Sequence, residues 1–95
     1  MVVDKLVWTG YGYVNRNVSI NLTIPSYVNY IVIKSPSFKI NEIKIVKGCT
    51  TEIFYSSTSY TSMSTVSYNS NNTLKISSGS SHAETNLWFE GHQYL

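Results

Sequence analysis

The stretch Asn17-Val-Ser-Ile-Asn-Leu-Thr-Ile-Pro25 decides the fold class of this chain. Apolar side chains take every second position in it, and polar ones take the positions between. The apolar set is Val18, Ile20, Leu22 and Ile24. Strict alternation over eight residues is typical of a strand with one face in a core and the other in water. Pro25 has no backbone amide for a ladder, so we expect the strand to end there.

The segments on either side of this strand also read as strands. Lys5 to Tyr13 is the first, and Leu6 and Trp8 are expected to share one of its faces. Gly10 and Gly12 fall on that same face, where a missing side chain allows a bulge or the close approach of another backbone. On the other side, Tyr27 to Ile33 is apolar on both faces, which predicts a central strand covered from both sides.

The remainder of the chain continues in short strands separated by turn residues. The expected strands are Phe38 to Val46, Cys49 to Tyr55, Tyr60 to Tyr68, Thr73 to Ser77 and Thr85 to Leu95. In the last one Leu87 and Phe89 share a face, Trp88 takes the other, and Gly91 is expected to form a bend. Seven or eight short strands and no amphipathic helix predict an all-β fold, an antiparallel β-sandwich or jelly roll. Residues 1–95 form one domain, with 1–4 as an N-terminal tail.

The composition narrows the class of protein. Charged residues make up 13% of the chain, against a usual value of about 25%. Serine, threonine and asparagine fill the difference with 15, 9 and 9 residues, which favours an outer surface that meets sugars or other proteins. The net charge of +2 comes from scattered cations, so no nucleic-acid partner is expected. No cationic leader and no apolar run of about 18 residues occurs, so neither a signal peptide nor membrane insertion is expected.

Cys49 is the single cysteine, which rules out an intrachain disulfide. Small secreted domains usually carry such bridges, so their absence favours folding in a reducing cytoplasm. We expect Cys49 to be a small buried side chain.

Groups able to perform acid–base or metal chemistry are few. The chain has five carboxylates and two histidines, namely Asp4, Glu42, Glu52, Glu84, Glu90, His82 and His92. Nothing pairs two carboxylates across a substrate, as a glycosidase needs. His82, Glu84 and His92 could be written as a metal set, but their spacing follows no short zinc pattern. The sequence therefore predicts no enzyme, no catalytic residue, no metal and no cofactor.

Aromatic residues are the more informative group, with thirteen among 95 residues. Tyrosine and tryptophan combine a flat apolar face with a hydrogen-bonding edge, which suits sugar rings and protein interfaces. The alternative is that they form cross-strand pairs that stiffen a sheet. The tyrosines expected to be partly exposed are Tyr11, Tyr13, Tyr55, Tyr60 and Tyr68. The candidate ligand-binding residues are Tyr11, Tyr13, Tyr55, Tyr60 and Trp88.

The order of these segments resembles a known family. Leu6-Val-Trp8-Thr-Gly10, a polar turn, the alternating strand and a closing Trp88-Phe-Glu-Gly91 resemble small C-terminal β domains of bacteriophage tail-fibre and baseplate proteins. The resemblance implies a non-enzymatic homotrimer, folded in the host cytoplasm and exposed on the virion, that binds a host cell-surface glycan or protein. It supplies no fixed binding residues. A monomeric carbohydrate-binding module or lectin, and an accessory domain of an enzyme complex, remain the alternatives.

Overall fold

A computed structural model describes residues 4–35, 42–56, 60–80 and 83–94. These residues form eight β-strands. In chain order they are β1 (Asp4–Val14), β2 (Ile20–Thr23), β3 (Tyr30–Lys34), β4 (Glu42–Val46), β5 (Cys49–Ser56), β6 (Thr61–Tyr68), β7 (Thr73–Ile76) and β8 (Thr85–Tyr94). The predicted all-β class is confirmed. No helix in the described part of the chain is long and apolar enough to cross a membrane.

The strands form two antiparallel four-stranded sheets. Sheet I has the order β1-β8-β3-β4, and sheet II has the order β2-β7-β6-β5. The two ends of the chain are therefore paired with each other, β1 with β8 and β2 with β7. This nesting is a jelly-roll feature, whereas β5, β6 and β7 follow one another as a plain meander. The architecture is the predicted β-sandwich.

The core lies between the two sheets and follows the alternation in the sequence. In β6 one face is buried, and it consists of Ser62, Ser64, Val66 and Tyr68. Ile53 and Tyr55 of β5 and Leu74 and Ile76 of β7 point to the same core. Strand β3 is buried on both faces, as predicted, because Ile31 and Ile33 face sheet II while Tyr30 and Val32 lie under the outer side chains of sheet I. The alternating stretch around β2 places Ile20 and Ile24 in the core.

Strand β1 departs from the prediction because of a bulge. Leu6 lies opposite His92, yet Trp8 lies opposite the preceding residue, Gly91, so two residues of β1 advance for one of β8. Val7 and Trp8 both pack against the core, and Leu6 is exposed. The expectation that Leu6 and Trp8 share a face is wrong, because one extra residue reverses the alternation.

Gly10 and Gly91 give Trp8 its place in the sandwich. A Cβ on Gly10 would lie 2.4 Å from the Cη2 atom of Trp8, and a Cβ on Gly91 would lie 3.1 Å from its Cε3 atom. The indole therefore lies along β1, against two positions that have no side chain. Gly12 admits Ile20 of sheet II in the same way, with 2.6 Å between a built Cβ and Cδ1. At both β1 glycines the close neighbours are side chains, Trp8 and Ile20, rather than the backbone that was the expected neighbour. Gly91 is a paired β8 residue rather than a bend.

Three smaller expectations also change. Cys49 is exposed rather than buried, because it opens β5 at the edge of sheet II. Asp4, expected in a tail, is the first residue of β1. Val18 is exposed and forms an isolated bridge with Asn15 ahead of β2. The predicted alternation of Phe38 and Ile40 falls outside the described residues, as do positions 1–3.

Candidate functional site

The outer face of sheet I carries one row of side chains to which all four strands contribute. Tyr11 of β1 lies opposite Trp88 of β8, Trp88 opposite Lys34 of β3, and Lys34 opposite Glu42 of β4. Trp88 must face outwards because its neighbours Leu87 and Phe89 are in the core. The row places an aromatic half beside a charged half.

Tyr11 and Trp88 form the most exposed aromatic pair in the described residues, and we call it the Tyr11–Trp88 platform. The ring centroids are 5.9 Å apart and the planes are inclined by 64°, an edge-to-face contact. Tyr11 is 59% exposed and Trp88 is 44% exposed. The Tyr11 hydroxyl donates a hydrogen bond of 2.9 Å to Oδ1 of Asn86, the residue two places before Trp88 on β8. Packing and hydrogen bonding therefore hold two large apolar rings in contact with solvent.

Charged groups border the platform on both sides. Nζ of Lys34 lies 2.9 Å from Oε1 of Glu90 and 3.9 Å from Oε2 of Glu42. The hydrogen bond that Lys34 donates to Glu90 raises the pKa of Lys34, because it stabilises the ammonium form. On the β1 side the Tyr13 hydroxyl donates to Oε2 of Glu84 at 2.7 Å, and this bond raises the pKa of Tyr13. The ammonium group of Lys34 is thus shared between two carboxylates.

A second aromatic group on the same face has a different character. Tyr30 stacks on the His92 ring with 4.8 Å between centroids and 2° between planes, and Nζ of Lys44 lies 4.0 Å from the Tyr30 centroid. The Tyr30 hydroxyl donates to Asp4, and this bond raises the pKa of Tyr30 to about 12. Tyr30 is only 5% exposed. This group ties four strands together, as the cross-strand interpretation of the aromatic residues predicted.

The five candidate ligand-binding residues do not form one site. Tyr11 and Trp88 meet, and Tyr13 lies on the same face but is half-buried. Tyr60 is exposed immediately before strand β6 of sheet II, and the platform lies on sheet I. Tyr55 is 1% exposed, with its hydroxyl 3.0 Å from Oγ of Ser64, so its assignment to a binding surface is wrong.

The prediction of partial exposure is also wrong for Tyr68. This side chain is fully buried, and its hydroxyl donates to the carbonyl oxygen of Val28 at 3.2 Å. Alternation already contained the signal for Tyr55, which shares a strand face with Ile53. Asn86, Lys34 and Glu90 border the platform and were not predicted as site residues, because only strand register brings them to it.

The outer face of sheet II offers a groove instead of a platform. It has a volume of about 390 Å³, and its polar lining includes Asn21, Thr65, Ser67 and Lys75. No aromatic ring lines it among the described residues. In the described part of the chain, no three His, Cys, Asp or Glu side chains are placed to hold a metal ion. His82, part of the metal set considered above, lies outside those residues.

Comparison with protein-family models, with curated proteins and with solved structures found no match to this chain. The geometry of the two outer faces is therefore the basis for a functional assignment.

Proposed function

We propose that this domain is a non-enzymatic β module of a virion, a tail-fibre tip or a related receptor-binding domain, that contacts a host cell-surface glycan. The observation that carries the proposal is the Tyr11–Trp88 platform. Two exposed rings are held on a flat sheet face by an edge-to-face contact and by the Tyr11–Asn86 hydrogen bond. Isolated exposed apolar residues are ordinary on a protein surface, whereas a fixed pair of aromatic rings provides a contact surface.

The size of the platform predicts weak binding by one copy of the domain. Covering roughly 100 Å² of its apolar area would contribute about 2.5 kcal/mol. A millimolar dissociation constant already corresponds to about 4 kcal/mol, so polar contacts at the border must supply the rest. Several copies displayed together would raise the apparent affinity strongly without any new contact. The small platform thus supports the predicted homo-oligomer, in which a trimer would display three platforms.

The contact surface is tested by binding to a glycan array and to intact bacterial cells. We expect Tyr11→Ala and Trp88→Ala each to reduce binding at least tenfold while the circular dichroism spectrum stays unchanged. Phe54→Ala is the matched control, because Phe54 is a 58% exposed ring on the opposite face of the sandwich. Unchanged binding by both platform variants, or an equal loss in Phe54→Ala, would contradict the proposal. Binding to a purified host protein in place of any glycan would identify a protein receptor.

The oligomeric state is tested by sedimentation equilibrium over a wide range of protein concentration. A mass of three chains supports the fibre-tip proposal, and a stable monomer contradicts its oligomeric part. A monomer that still binds glycans through Trp88 is the result expected of the alternative, a free carbohydrate-binding module or lectin. An accessory domain of an enzyme complex would instead copurify with its catalytic partner.

A further inference from the structure

We propose that the Tyr11–Trp88 platform binds an uncharged hexopyranose and discriminates against acidic sugars. This inference rests on the proposed function and names the ligand class of the same surface. It is carried by the charges that border the platform and by the two polar side chains on either side of Trp88.

The described residues at the border of the platform are negatively charged in sum, although the chain as a whole has a net charge of +2. Among them, the three carboxylates of Glu42, Glu84 and Glu90 lie around the platform together with the ammonium group of Lys34. The sum of these formal charges is −2. Lys44 lies in the row of Glu90, over the Tyr30 ring, and Asp4, which accepts from the Tyr30 hydroxyl, lies farther along the face; these two charges cancel.

The charge of Lys34 is already compensated. Its ammonium group donates to Glu90 and lies 3.9 Å from Glu42, so a ligand carboxylate would have to compete with both carboxylates for it. A ligand that keeps its own negative charge near the platform would meet two uncompensated like charges. At separations of several ångströms near a protein surface, such repulsion weakens binding on the order of tenfold.

The side chains next to Trp88 on the same strand supply what a neutral sugar requires. Asn86 and Glu90 lie two residues before and after Trp88, so they share its face at about 7 Å on each side. Oδ1 of Asn86 accepts from Tyr11, and its NH₂ group has no partner among the described residues. Oε1 of Glu90 accepts from Lys34, and its second oxygen can still accept a hydrogen bond.

A donor on one side of a flat ring and an acceptor on the other match the chemistry of a pyranose. The apolar C–H face of such a sugar covers an aromatic ring, and its hydroxyls at the rim both donate and accept hydrogen bonds. Tyr11, inclined to Trp88 by 64°, closes the platform on one side. The site is thus complementary to an uncharged polyhydroxyl ring that lies on Trp88, with Asn86 on one side of it and Glu90 on the other.

The test compares sugars that differ in one group only. Methyl glucoside and methyl galactoside are titrated against their uronic acids, in which a carboxylate replaces the C6 hydroxymethyl group. The readout is the indole N–H resonance of Trp88 in ¹H–¹⁵N spectra. The resonance of Trp8, which packs against the core, is the internal reference for folding.

We expect at least one neutral sugar to shift the Trp88 signal, and its uronic acid to bind at least tenfold more weakly. The ratio between the affinities for the neutral sugar and its uronic acid should fall about threefold or more in Glu90→Gln and at high salt, because both reduce the repulsion between the border carboxylates and the uronate. Glu52→Gln, on the outer face of sheet II, is the matched control and should leave it unchanged. A uronic acid that binds as tightly as its neutral partner would overturn the inference.

The result also separates this inference from the proposed function. If an acidic glycan or a host protein binds and shifts Trp88, the ligand class is wrong and the binding surface stands. If neutral sugars shift resonances of the sheet II groove and leave Trp88 unchanged, both proposals for the platform fail.

Discussion

Replacing Gly10 by alanine tests the packing of Trp8, because the packing decides whether the substitution raises or lowers the free energy of unfolding. In an extended strand without an obstacle, Gly→Ala stabilises a protein by about 0.4–1 kcal/mol, because it reduces the freedom of the unfolded chain. Here the new Cβ would lie 2.4 Å from Cη2 and 2.7 Å from Cζ2 of the indole. The ring cannot retreat freely, because it also contacts the position of Gly91.

The two effects can be compared in magnitude. Overpacking of this kind destabilises a core by about 1–3 kcal/mol. Loss of a fully buried aromatic side chain, about 3–5 kcal/mol, is an upper limit, because Trp8 is only partly buried. Because the built contact of 2.4 Å is far inside van der Waals distance, we take the upper part of the overpacking range, about 2–3 kcal/mol. After subtracting the gain from the unfolded state, we expect Gly10→Ala to lower the free energy of unfolding by about 1–2.5 kcal/mol. For a domain of this size that corresponds to a fall in Tm of about 5–20 °C.

The assay is urea and thermal unfolding followed by circular dichroism. Thr9→Ala, at the exposed neighbouring position, is the control and should change stability by less than about 0.5 kcal/mol. In a Trp8→Leu background the Gly10→Ala change should become neutral or stabilising, because the obstructing ring is gone. A coupling of at least about 1 kcal/mol in this double-mutant cycle is expected. An unchanged or raised stability of Gly10→Ala in the native background would refute the reasoning.

Three further outcomes follow from the other buried and exposed groups. Tyr55→Phe should lower stability by about 1–2 kcal/mol in urea unfolding, because the buried hydroxyl of Ser64 loses its partner; a change below about 0.3 kcal/mol would contradict this contact. The pKa of a tyrosine is 10.0 in the unfolded chain, and the hydrogen bond to Asp4 raises the pKa of Tyr30 to about 12 in the folded protein. The hydrogen bond between Tyr30 and Asp4 therefore stabilises the fold fully below pH 10, and this stabilisation is lost as the pH rises from 10 to about 12. The alkaline fall in Tm should be smaller in Tyr30→Phe, and an equal fall would exclude this residue. Cys49 should react with a thiol reagent in the native protein at a rate close to that in urea, and protection of more than about a hundredfold would show that it is buried.

The bulge in β1 shows where local reasoning ends. Alternation places Leu6 and Trp8 on one face, and Val7, the one residue between them, gives no sign of the extra position. The register with β8 inserts it, since Leu6 pairs with His92 and Trp8 with Gly91. The Trp8-Thr-Gly10 motif is likewise local in sequence, but the Trp8 indole also packs against Gly91 of β8, which the local sequence does not indicate.

The positions of some aromatic residues follow from the local sequence pattern, and those of others depend on strand pairing. Tyr55 shares its strand face with Ile53, so its burial follows from the residue pattern alone, and the prediction of exposure overlooked that. The proximity of Tyr11 to Trp88, by contrast, depends on pairing between the first and last strands. No local pattern contains that information, because a one-residue shift in register would separate the two rings.

The sequence by itself determined the all-β class, the positions of most strands and, away from the β1 bulge, the alternation that sends one face of a strand into the core. These properties depend on neighbouring residues, because successive side chains of an extended backbone point to opposite sides. Tertiary structure alone decided the position of the bulge, the packing of Trp8 against Gly91, and the residues that border the platform. Each of these depends on which residues of distant strands lie opposite one another, and that is set by packing between whole sheets.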